Sequence, residues 1–390
     1  MNSAENYRGI TLLSCVGKLF TSILNIRLNT WAEFNSKFDS FQHGFREKKS
    51  TIDAMYLLQT AVDVFLSNQS ALYVSFIDLK KAFDKTHHHA LFFKLFKNGI
   101  STNMLNIVKN MYSKIKLCVK SSYEKCISEF KDDDIYDESA VENLNNTSND
   151  YFFSPVAGVL QGESLSPFLF SMYLNDLQDF LKNDPYIGIH IYHFFMILIL
   201  FADDMVLFSD NRFGLQRGLD KFHEYCNDWG LEVNVEKTKC LVFKNGGRKN
   251  RLDKWYYNGN EIETVSEFKY LGFIFSSSGK FKTGLDNLLA RGEKALFDMM
   301  SSINDYNDMT FDMKLSLYDS LVKSVICYGC EIWGFCEAKR LETFYLRFLK
   351  YTLNVRKSIP TCFIYRECNV YPLHIIRIQR IINIGLKLFD

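Results

Sequence analysis

Two adjacent carboxylates stand in the segment Phe201-Ala-Asp-Asp204, between two strongly apolar runs of the chain. Acidic side chains beside buried strands are costly unless a cation offsets their charge. A third acid, Asp78, follows the apolar stretch Leu72–Ile77, and strand pairing can bring it beside the pair. Carboxylates that meet at strand ends form the oxygen site that Mg²⁺ prefers, and two such ions support in-line phosphoryl transfer. For the Asp-Asp dipeptide alone, a polar surface turn is the better interpretation.

A sheet is needed to bring these acids together, and the apolar periodicity predicts its strands at 72–77, 191–201, 205–209, 239–243 and 270–275. The pattern places Asp203 and Asp204 at the tip of a hairpin between the second and third of these strands. Helical spacing predicts helices at about 12–31, after a cap at Ser50 or Thr51, at 87–112, 165–181 and 213–229, and over most of the chain after 283. A mixed body followed by a helical part predicts the α+β class.

The composition excludes some classes of protein but does not indicate a binding partner. The 390 residues are 47% hydrophobic and 23% charged, which excludes a disordered chain, and the net charge is only +1. The longest apolar run, 191–202, is far shorter than the roughly 18 residues of a membrane span, so no membrane association is predicted. The 10 cysteines are scattered. We expect reduced, structural thiols in an intracellular protein, because Cys327-x-x-Cys330 lacks a second close pair for zinc.

The charge is unevenly distributed along the chain. Residues 123–150 carry nine acids and two bases, a net charge of −7, together with many Asn and Ser residues and no sustained period. We predict an exposed, disordered loop there. Residues 338–390 carry ten bases and three acids, a net charge of +7. This distribution is compatible with a polyanionic partner, and solvated surface charge explains it equally well.

Several motifs share one order along nearly the whole chain. They are Asn6-Tyr-Arg-Gly-Ile-Thr-Leu-Leu13, Gln42-His-Gly-Phe-Arg46 with its continuation to Thr51, Phe76-Ile-Asp78-Leu-Lys-Lys-Ala-Phe-Asp84, Gly158-Val-Leu-Gln-Gly-Glu-Ser-Leu-Ser-Pro167, Phe201-Ala-Asp-Asp204, Asn234-Val-Glu-Lys-Thr-Lys239, Tyr270-Leu-Gly272, Tyr328-Gly-Cys-Glu-Ile-Trp333 and Val370-Tyr-Pro-Leu373. In this order they resemble the reverse transcriptase domain of non-LTR (LINE-type) retrotransposons.

The resemblance implies a right-hand polymerase with an antiparallel palm sheet and a helical C-terminal thumb. It places the fingers and palm in residues 1–275, with 123–150 as an acidic insert, and the thumb and a basic C-terminal segment in 276–390. The first motif begins close to the start of the sequence, so we expect a piece of a larger open reading frame. The insert is longer than the hairpin usual at this point, and its charge would repel nucleic acid.

The implied catalytic and metal-binding residues are the three acids, Asp78, Asp203 and Asp204, which would hold two Mg²⁺ ions. Phe83 matches the bulky gate that excludes a ribose 2′-OH. Arg46 matches the fingers arginine that contacts the incoming triphosphate, and a planar guanidinium suits phosphate oxygens.

Further substrate contacts follow from the same motifs. Gln161 and Gly162 would lie against the nucleotide and the template, since glycine allows close backbone approach. Lys237 or Lys239 would protonate the leaving pyrophosphate, with surface charge as the alternative for both. The turn Tyr270-Leu-Gly272 would position the primer end.

The resemblance therefore implies an RNA-directed DNA polymerase that extends a primer 3′-end with dNTPs by two-metal nucleotidyl transfer. Its partners would be an RNA template and a DNA primer or nicked target DNA, with no cofactor beyond the metal, in the nucleus and cytoplasm. One alternative is a catalytically inactive, nucleic-acid-binding remnant of such an element. Another is an RNA-dependent RNA polymerase, against which Phe83 and the Ala202-Asp-Asp tip argue.

Overall fold

The computed structural model describes residues 9–118, 153–246, 253–303, 306 and 308–389, so the predicted acidic insert lies outside the described residues. The chain forms two compact units, the first from 1–28 and 81–173 and the second from 29–80 and 174–390. The second unit contains both the main sheet and the C-terminal helices, which the sequence analysis separates at residue 275. The division into fingers, palm and thumb stays a prediction.

The strands have the following bounds: β1 Leu72–Asp78, β2 Ile189–Ile191, β3 Phe194–Met196, β4 Leu198–Phe201, β5 Asp204–Ser209, β6 Lys239–Phe243, β7 Trp255–Tyr257, β8 Asn260–Val265, β9 Glu267–Tyr270 and β10 Phe273–Ser276. Six of them form one sheet in the order β4-β5-β1-β6-β8-β7. Every pair in this sheet is antiparallel except β6 with β8. The remaining strands form two hairpins, β2 with β3 and β9 with β10.

The helices begin with α1 Cys15–Phe34, α2 Thr51–Ser67, α3 His88–Lys97, α4 Thr102–Lys114, α5 Ser166–Tyr173, α6 Leu177–Lys182 and α7 Arg212–Trp229. They continue with α8 Lys282–Ile303, α9 Phe311–Tyr318, α10 Ser324–Ile326, α11 Cys330–Trp333, α12 Lys339–Thr352, α13 Thr361–Glu367 and α14 Leu373–Phe389, and a π-helical turn at Asp319–Lys323 joins α9 to α10. The predicted α+β class, with helices after the sheet, is confirmed.

Four predicted elements are divided in the structure by short turns. The helix predicted at 165–181 is α5 and α6, and the strand predicted at 270–275 is the end of β9, a turn at Leu271–Gly272 and β10. The helix predicted at 87–112 is α3 and α4, because Gly99 adopts a φ of 89° after α3 and the Ser101 hydroxyl caps α4. The strand predicted at 191–201 is wrong as a single element. Tyr192 has a φ of 52° and turns the chain between β2 and β3, and only β4 pairs with β5.

The central strand β1 explains where the core of the second unit lies. It is flanked by β5 and β6, and nearly all of its side chains are buried. Val74 and Phe76 belong to a buried cluster that includes α2, the β9–β10 hairpin and the C-terminal helices. A strand in such a position is predicted by a continuous apolar run, which is what the sequence provides. Among the described residues, no helix is both long and apolar enough to cross a membrane.

Candidate active site

The hairpin of β4 and β5 carries two of the predicted acids at its tip. Phe201 pairs with Asp204, so Ala202 and Asp203 form a two-residue turn. Ala202 has a φ of 59°, which matches the positive φ required at the first central position of tight hairpin turns. On the other side of β5, Asp78 at the end of β1 pairs directly with Asp204. Directly opposed residues of an antiparallel pair project to the same face, so these two carboxylates share one face of the sheet.

Asp78 is fixed by the turn that precedes β6. Its backbone N–H donates to the Thr238 hydroxyl at 3.2 Å, and its carbonyl accepts from the Asn234 N–H at 2.8 Å. The same turn places the Lys237 ammonium nitrogen 3.8 Å from the Asp78 Oδ2. Lys239 is directed elsewhere, because its ammonium donates to the Glu263 carboxylate at 2.7 Å. Of the two predicted lysines, only Lys237 therefore lies beside an active-site acid.

The donor set fits a hard divalent cation, since Asp78 and Asp204 offer carboxylate oxygens from facing positions. Asp203 is half-buried in the adjacent turn and Asp204 is exposed. Across the described residues, however, no group of three or more His, Cys, Asp or Glu side chains is arranged to hold a metal ion. The structure thus pairs two of the predicted ligands on one face, with the third next to them in sequence.

Tyr270 packs against the end of β1 that carries Asp78. Its ring centroid lies 5.5 Å from that of Phe76, which is two residues before Asp78 and on the same face of β1. The residue is 3% exposed, and its hydroxyl has no hydrogen-bond partner in the described part of the chain. Burial, with the nearby charge of Asp204, raises the pKa of Tyr270. A side chain so enclosed cannot touch a primer.

In the motif Tyr270-Leu-Gly272, which is predicted to position the primer end, the two residues after Tyr270 form a turn. Both Leu271 and Gly272 have positive φ. Tyr328 holds this turn, because its hydroxyl donates to the Leu271 carbonyl at 2.6 Å. A Cβ on Gly272 would lie 3.2 Å from the Tyr328 ring. Two motifs that are far apart in sequence therefore meet here, and any contact with a primer would come from the turn.

A third support comes from the segment that contains Gln42-His-Gly-Phe-Arg46. The His43 N–H donates to the Leu200 carbonyl at 2.8 Å, and the Leu200 N–H donates to the Phe41 carbonyl at 3.0 Å. Gly44 packs directly on the turn, since a Cβ there would lie 2.2 Å from the Ala202 nitrogen. Residues 39–46, which we call the strap, thus lie along β4, the edge strand of the sheet.

Arg46 lies at the end of the strap, and its guanidinium is engaged within the protein. It forms a two-pronged ion pair with Glu33 at 2.9 and 2.7 Å, and Nη1 donates to the Asp39 carbonyl at 2.9 Å. Only 13% of the side chain is exposed. Sequence reasoning did not identify Glu33, because spacing along the chain gives no sign of a pair formed across an irregular loop.

The other predicted substrate contacts belong to the first unit. Phe83 is half-buried and stacks on Phe170 with ring centroids 4.8 Å apart. The Gln161 side chain donates to the Asp84 carboxylate at 3.1 Å, and its carbonyl accepts from the Thr11 N–H at 2.7 Å. Gly162 has a φ of 104°, and a Cβ there would lie 2.8 Å from the Thr11 carbonyl oxygen. Close backbone approach therefore requires glycine at this position.

Glu163 fixes the loop that follows Gly162. Its buried carboxylate accepts hydrogen bonds from the Tyr112 hydroxyl at 3.2 Å and the Ser166 hydroxyl at 3.0 Å. Burial raises the pKa of Glu163 above its ordinary value. The Glu163 side chain anchors the loop to α4 and to the start of α5, so we assign it a structural role.

The cysteines form no metal site among the residues with described positions. Cys327 and Cys330 are buried thiols in the second unit. Burial raises the pKa of Cys327 to about 11 and that of Cys330 to about 12. Neutral thiols of this kind are poor nucleophiles.

Residues 2–275 match the sequence profile of the family described as reverse transcriptase (RNA-dependent DNA polymerase). The chain belongs to the reverse transcriptase family. The match includes the strap, all three acids and the turn at 270–272, so the predicted resemblance is confirmed. The structure adds that the strap, the acids and the turn lie in one compact unit.

Several proteins with similar sequences come from mobile elements. The chain is 23% identical over 349 residues to the RNA-directed DNA polymerase from mobile element jockey of Drosophila melanogaster, covering 87% of this chain and 34% of the relative. It is 26% identical over 345 residues to the probable RNA-directed DNA polymerase from transposon BS of the same organism, covering 85% and 34%. A third relative is the Pol polyprotein from type-2 retrotransposable element R2DM, at 25% identity over 286 residues, with 71% and 24% covered. The chain thus spans about a third or less of the lengths of these relatives.

Solved structures that are similar include telomerases. Telomerase from Candida albicans, in complex with a TWJ fragment of telomeric RNA, matches at a TM-score of 0.47 and 14% identity, covering 92% of this chain and 59% of that one. Apo telomerase from Candida Tropicalis, truncated from its C-terminal domain, matches at a TM-score of 0.42 and 17% identity, covering 67% and 44%.

Proposed function

We propose that this chain catalyses RNA-directed DNA synthesis, extending a primer 3′-end with dNTPs on an RNA template. The observation that carries the proposal is the pairing of Asp78 with Asp204 at the tip of the β4–β5 hairpin, within a chain of the reverse transcriptase family. The primer would be a DNA strand, including one exposed at a nick in target DNA. Relatives from mobile elements support this assignment, and the chain would act as part of a longer protein.

Asp78, Asp203 and Asp204 would hold Mg²⁺, and two ions are the number that the proposed reaction uses. Mg²⁺ bound there would lower the pKa of the primer 3′-hydroxyl and offset charge that develops on the leaving pyrophosphate. The facing positions of Asp78 and Asp204 supply acidic oxygens from two strands, and the tight turn adds Asp203 beside them. Fixing these groups before the substrate arrives limits the reorganisation required during reaction.

Lys237 would donate a proton to the leaving pyrophosphate. Its ammonium lies 3.8 Å from the Asp78 carboxylate and 65% of the side chain is exposed, so it can exchange this partner for a phosphate oxygen. An exposed pair of this kind contributes little stability, typically below about 1 kcal/mol. The lysine is therefore available for a role in substrate binding.

Phe83, Gln161 and Gly162 would contact the incoming nucleotide and the template. The Phe83 ring, fixed by its stack on Phe170, would collide with a ribose 2′-OH and so select dNTPs. The half-buried Gln161 and the exposed backbone of Gly162 would lie against the base pair that forms. These roles rest on the family motifs together with the contacts of Phe83 with Phe170 and of Gln161 with Asp84.

Primer extension on poly(rA)/oligo(dT) with Mg²⁺ tests the proposal. We expect extension by the wild-type chain, and we expect Asp203→Asn to reduce it by at least about 1,000-fold because a metal ligand is lost. RNA affinity should stay within a few-fold. Asp228→Asn, an exposed change of the same kind on α7, serves as the control and should retain full activity.

Near wild-type extension by Asp203→Asn would remove the metal assignment. If the wild-type chain binds RNA in a salt-dependent manner but never extends a primer, the chain is instead an inactive, nucleic-acid-binding remnant.

A further inference from the structure

Glu33 and Arg46 form a tightly organised ion pair in the second unit. The Arg46 Nε donates to Glu33 Oε1 at 2.9 Å and its Nη2 donates to Glu33 Oε2 at 2.7 Å, the parallel arrangement that makes Arg–carboxylate pairs strong and directional. The Arg46 guanidinium also packs on an aromatic ring, because its central carbon lies 5.0 Å from the centre of the Phe38 ring. The Arg46 side chain is 13% exposed and that of Glu33 is 29% exposed, so competition from water for these bonds is reduced.

The same guanidinium also forms hydrogen bonds within the strap. Nη1 donates to the carbonyl of Asp39 at 2.9 Å and to that of Gln42 at 3.3 Å. The two ends of residues 39–46 are therefore joined through one side chain. Because Glu33 lies near the end of α1, the strap is also fastened to a long helix.

The strap in turn determines where the catalytic hairpin can lie. Strand β4 is at the edge of the sheet, so β5 supports only one of its sides. The strap supports the other side through the two backbone hydrogen bonds of Leu200, which is two residues before the turn. Gly44 then rests on Ala202, next to Asp203, with no room for a side chain between them.

We propose that Glu33 is a positioning residue, which acts through Arg46 to hold the strap, and thereby Asp203 and Asp204, in place. The inference rests on the proposed polymerase function. It assigns Arg46 a different task from triphosphate binding, because the fork that pairs with Glu33 cannot at the same time pair with a phosphate. Small displacements of reacting groups, of about 1 Å, reduce rates by about 100-fold.

The two possible roles of Arg46 predict different effects of Glu33→Gln on kcat. A positioning role predicts that kcat falls by at least about 10-fold while the KM for dNTP changes by less than about 2-fold, because an interaction needed only for geometry is lost. Triphosphate binding by Arg46 predicts an unchanged or lower KM with kcat retained, since the arginine would be released for its substrate. That result would overturn the proposal.

Arg46→Lys completes the test, because lysine keeps the charge but cannot bridge a carboxylate and two carbonyls. It should show the same fall in kcat, and the double variant should be no worse than either single variant. A large rise in KM for Arg46→Lys alone would instead indicate a phosphate contact. Glu47→Gln, an exposed change that follows the strap directly, is the matched control and should behave as wild type.

Hydrogen exchange separates failure of this inference from failure of the proposed function. In Glu33→Gln, the amides of His43 and Leu200 should exchange at least about 10-fold faster than in wild type and in Glu47→Gln, whether or not the chain extends primers. Unchanged exchange at both amides would show that Glu33 does not hold the strap. If the wild-type chain fails to polymerise, the proposed function is refuted. The exchange rates of the His43 and Leu200 amides would still show whether Glu33 holds the strap in place.

Discussion

The ion pair between Lys237 and Asp78 shows that a side chain can be placed for a reaction while contributing little to the stability of the fold. Their separation of 3.8 Å at an exposed site is worth little to folding. Arg46 and Tyr270 are the opposite case, because they occupy motif positions associated with substrate yet lie largely inside the protein. A position in a motif therefore indicates the neighbourhood of the reaction, and burial decides whether the side chain itself can touch a substrate.

Phe83 is the residue for which a change of specificity is predicted. Replacement by alanine removes the ring, so we expect ribonucleotide incorporation relative to dNTP incorporation to rise by about 10- to 100-fold, the range expected when a steric barrier is removed from a site. Loss of the stack on Phe170 should also destabilise the first unit by about 1–3 kcal/mol. Competing dNTP and rNTP incorporation measures the first effect and thermal unfolding the second.

Phe83→Leu keeps a bulky side chain and is the appropriate control, with dNTP preference largely retained. An alanine variant that remains folded and still excludes ribonucleotides would remove the gate role.

At the scale of elements, the hairpin that carries the acids is positioned by segments distant in sequence. Strand β1 pairs with β5, the strap lies along β4, and Tyr270 of β9 packs beneath Phe76. Each of these contacts acts on the backbone or on buried rings, so packing contributes to the position of the carboxylates. The left-handed Ala202 depends on this support, because a non-glycine residue with positive φ is intrinsically strained.

Gly44→Ala tests the support directly. The new methyl carbon would lie 2.2 Å from the Ala202 nitrogen, a backbone atom that cannot move without shifting the turn. We expect a loss of about 1–3 kcal/mol in stability, as for other overpacked sites, and a fall in extension of at least about 100-fold. Primer extension and thermal unfolding of the same samples measure the two effects.

Gly385→Ala on α14 is the control, since open space surrounds that position and alanine favours a helix by roughly 0.5–1 kcal/mol. Equal behaviour of the two alanine variants would contradict the packing argument.

At the scale of the whole molecule, the C-terminal helices and the sheet share one core in the second unit. The cluster that contains Val74 and Phe76 continues through Tyr318, Trp333 and Phe348. Trp333 is fully buried, and Arg377 of α14 covers its ring at 5.4 Å. A boundary at residue 275 therefore does not separate two independent cores.

Truncation after residue 275 should consequently give an unstable protein. The buried cluster that contains Val74 and Phe76 would lose the residues that the C-terminal helices contribute to it, leaving a large apolar surface exposed. We expect aggregation, or binding of a hydrophobic dye together with loss of cooperative unfolding. A soluble 1–275 fragment with a sharp thermal transition would show that the sheet and its own helices suffice.

The sequence by itself determined the acids and the elements that carry them. Asp78 and the Asp203-Asp204 pair end continuous apolar runs, and such runs predict buried strands because the signal is local to each segment. The α+β class and the helical C-terminal part followed from the same periodicities. The strand at 191–201 was mispredicted because an apolar run does not reveal a turn whose positive φ falls on Tyr192 rather than on glycine.

Only the tertiary structure decided which side chains meet. The pairing of Glu33 with Arg46, the contact of Gly44 with Ala202, and the choice of Lys237 over Lys239 beside Asp78 all join segments through irregular loops. Loop paths have no periodicity from which to predict a contact, and the direction of a long side chain depends on the neighbours that packing supplies. Composition and spacing therefore predict the chemistry available to this chain, and packing determines which residues are positioned to perform it.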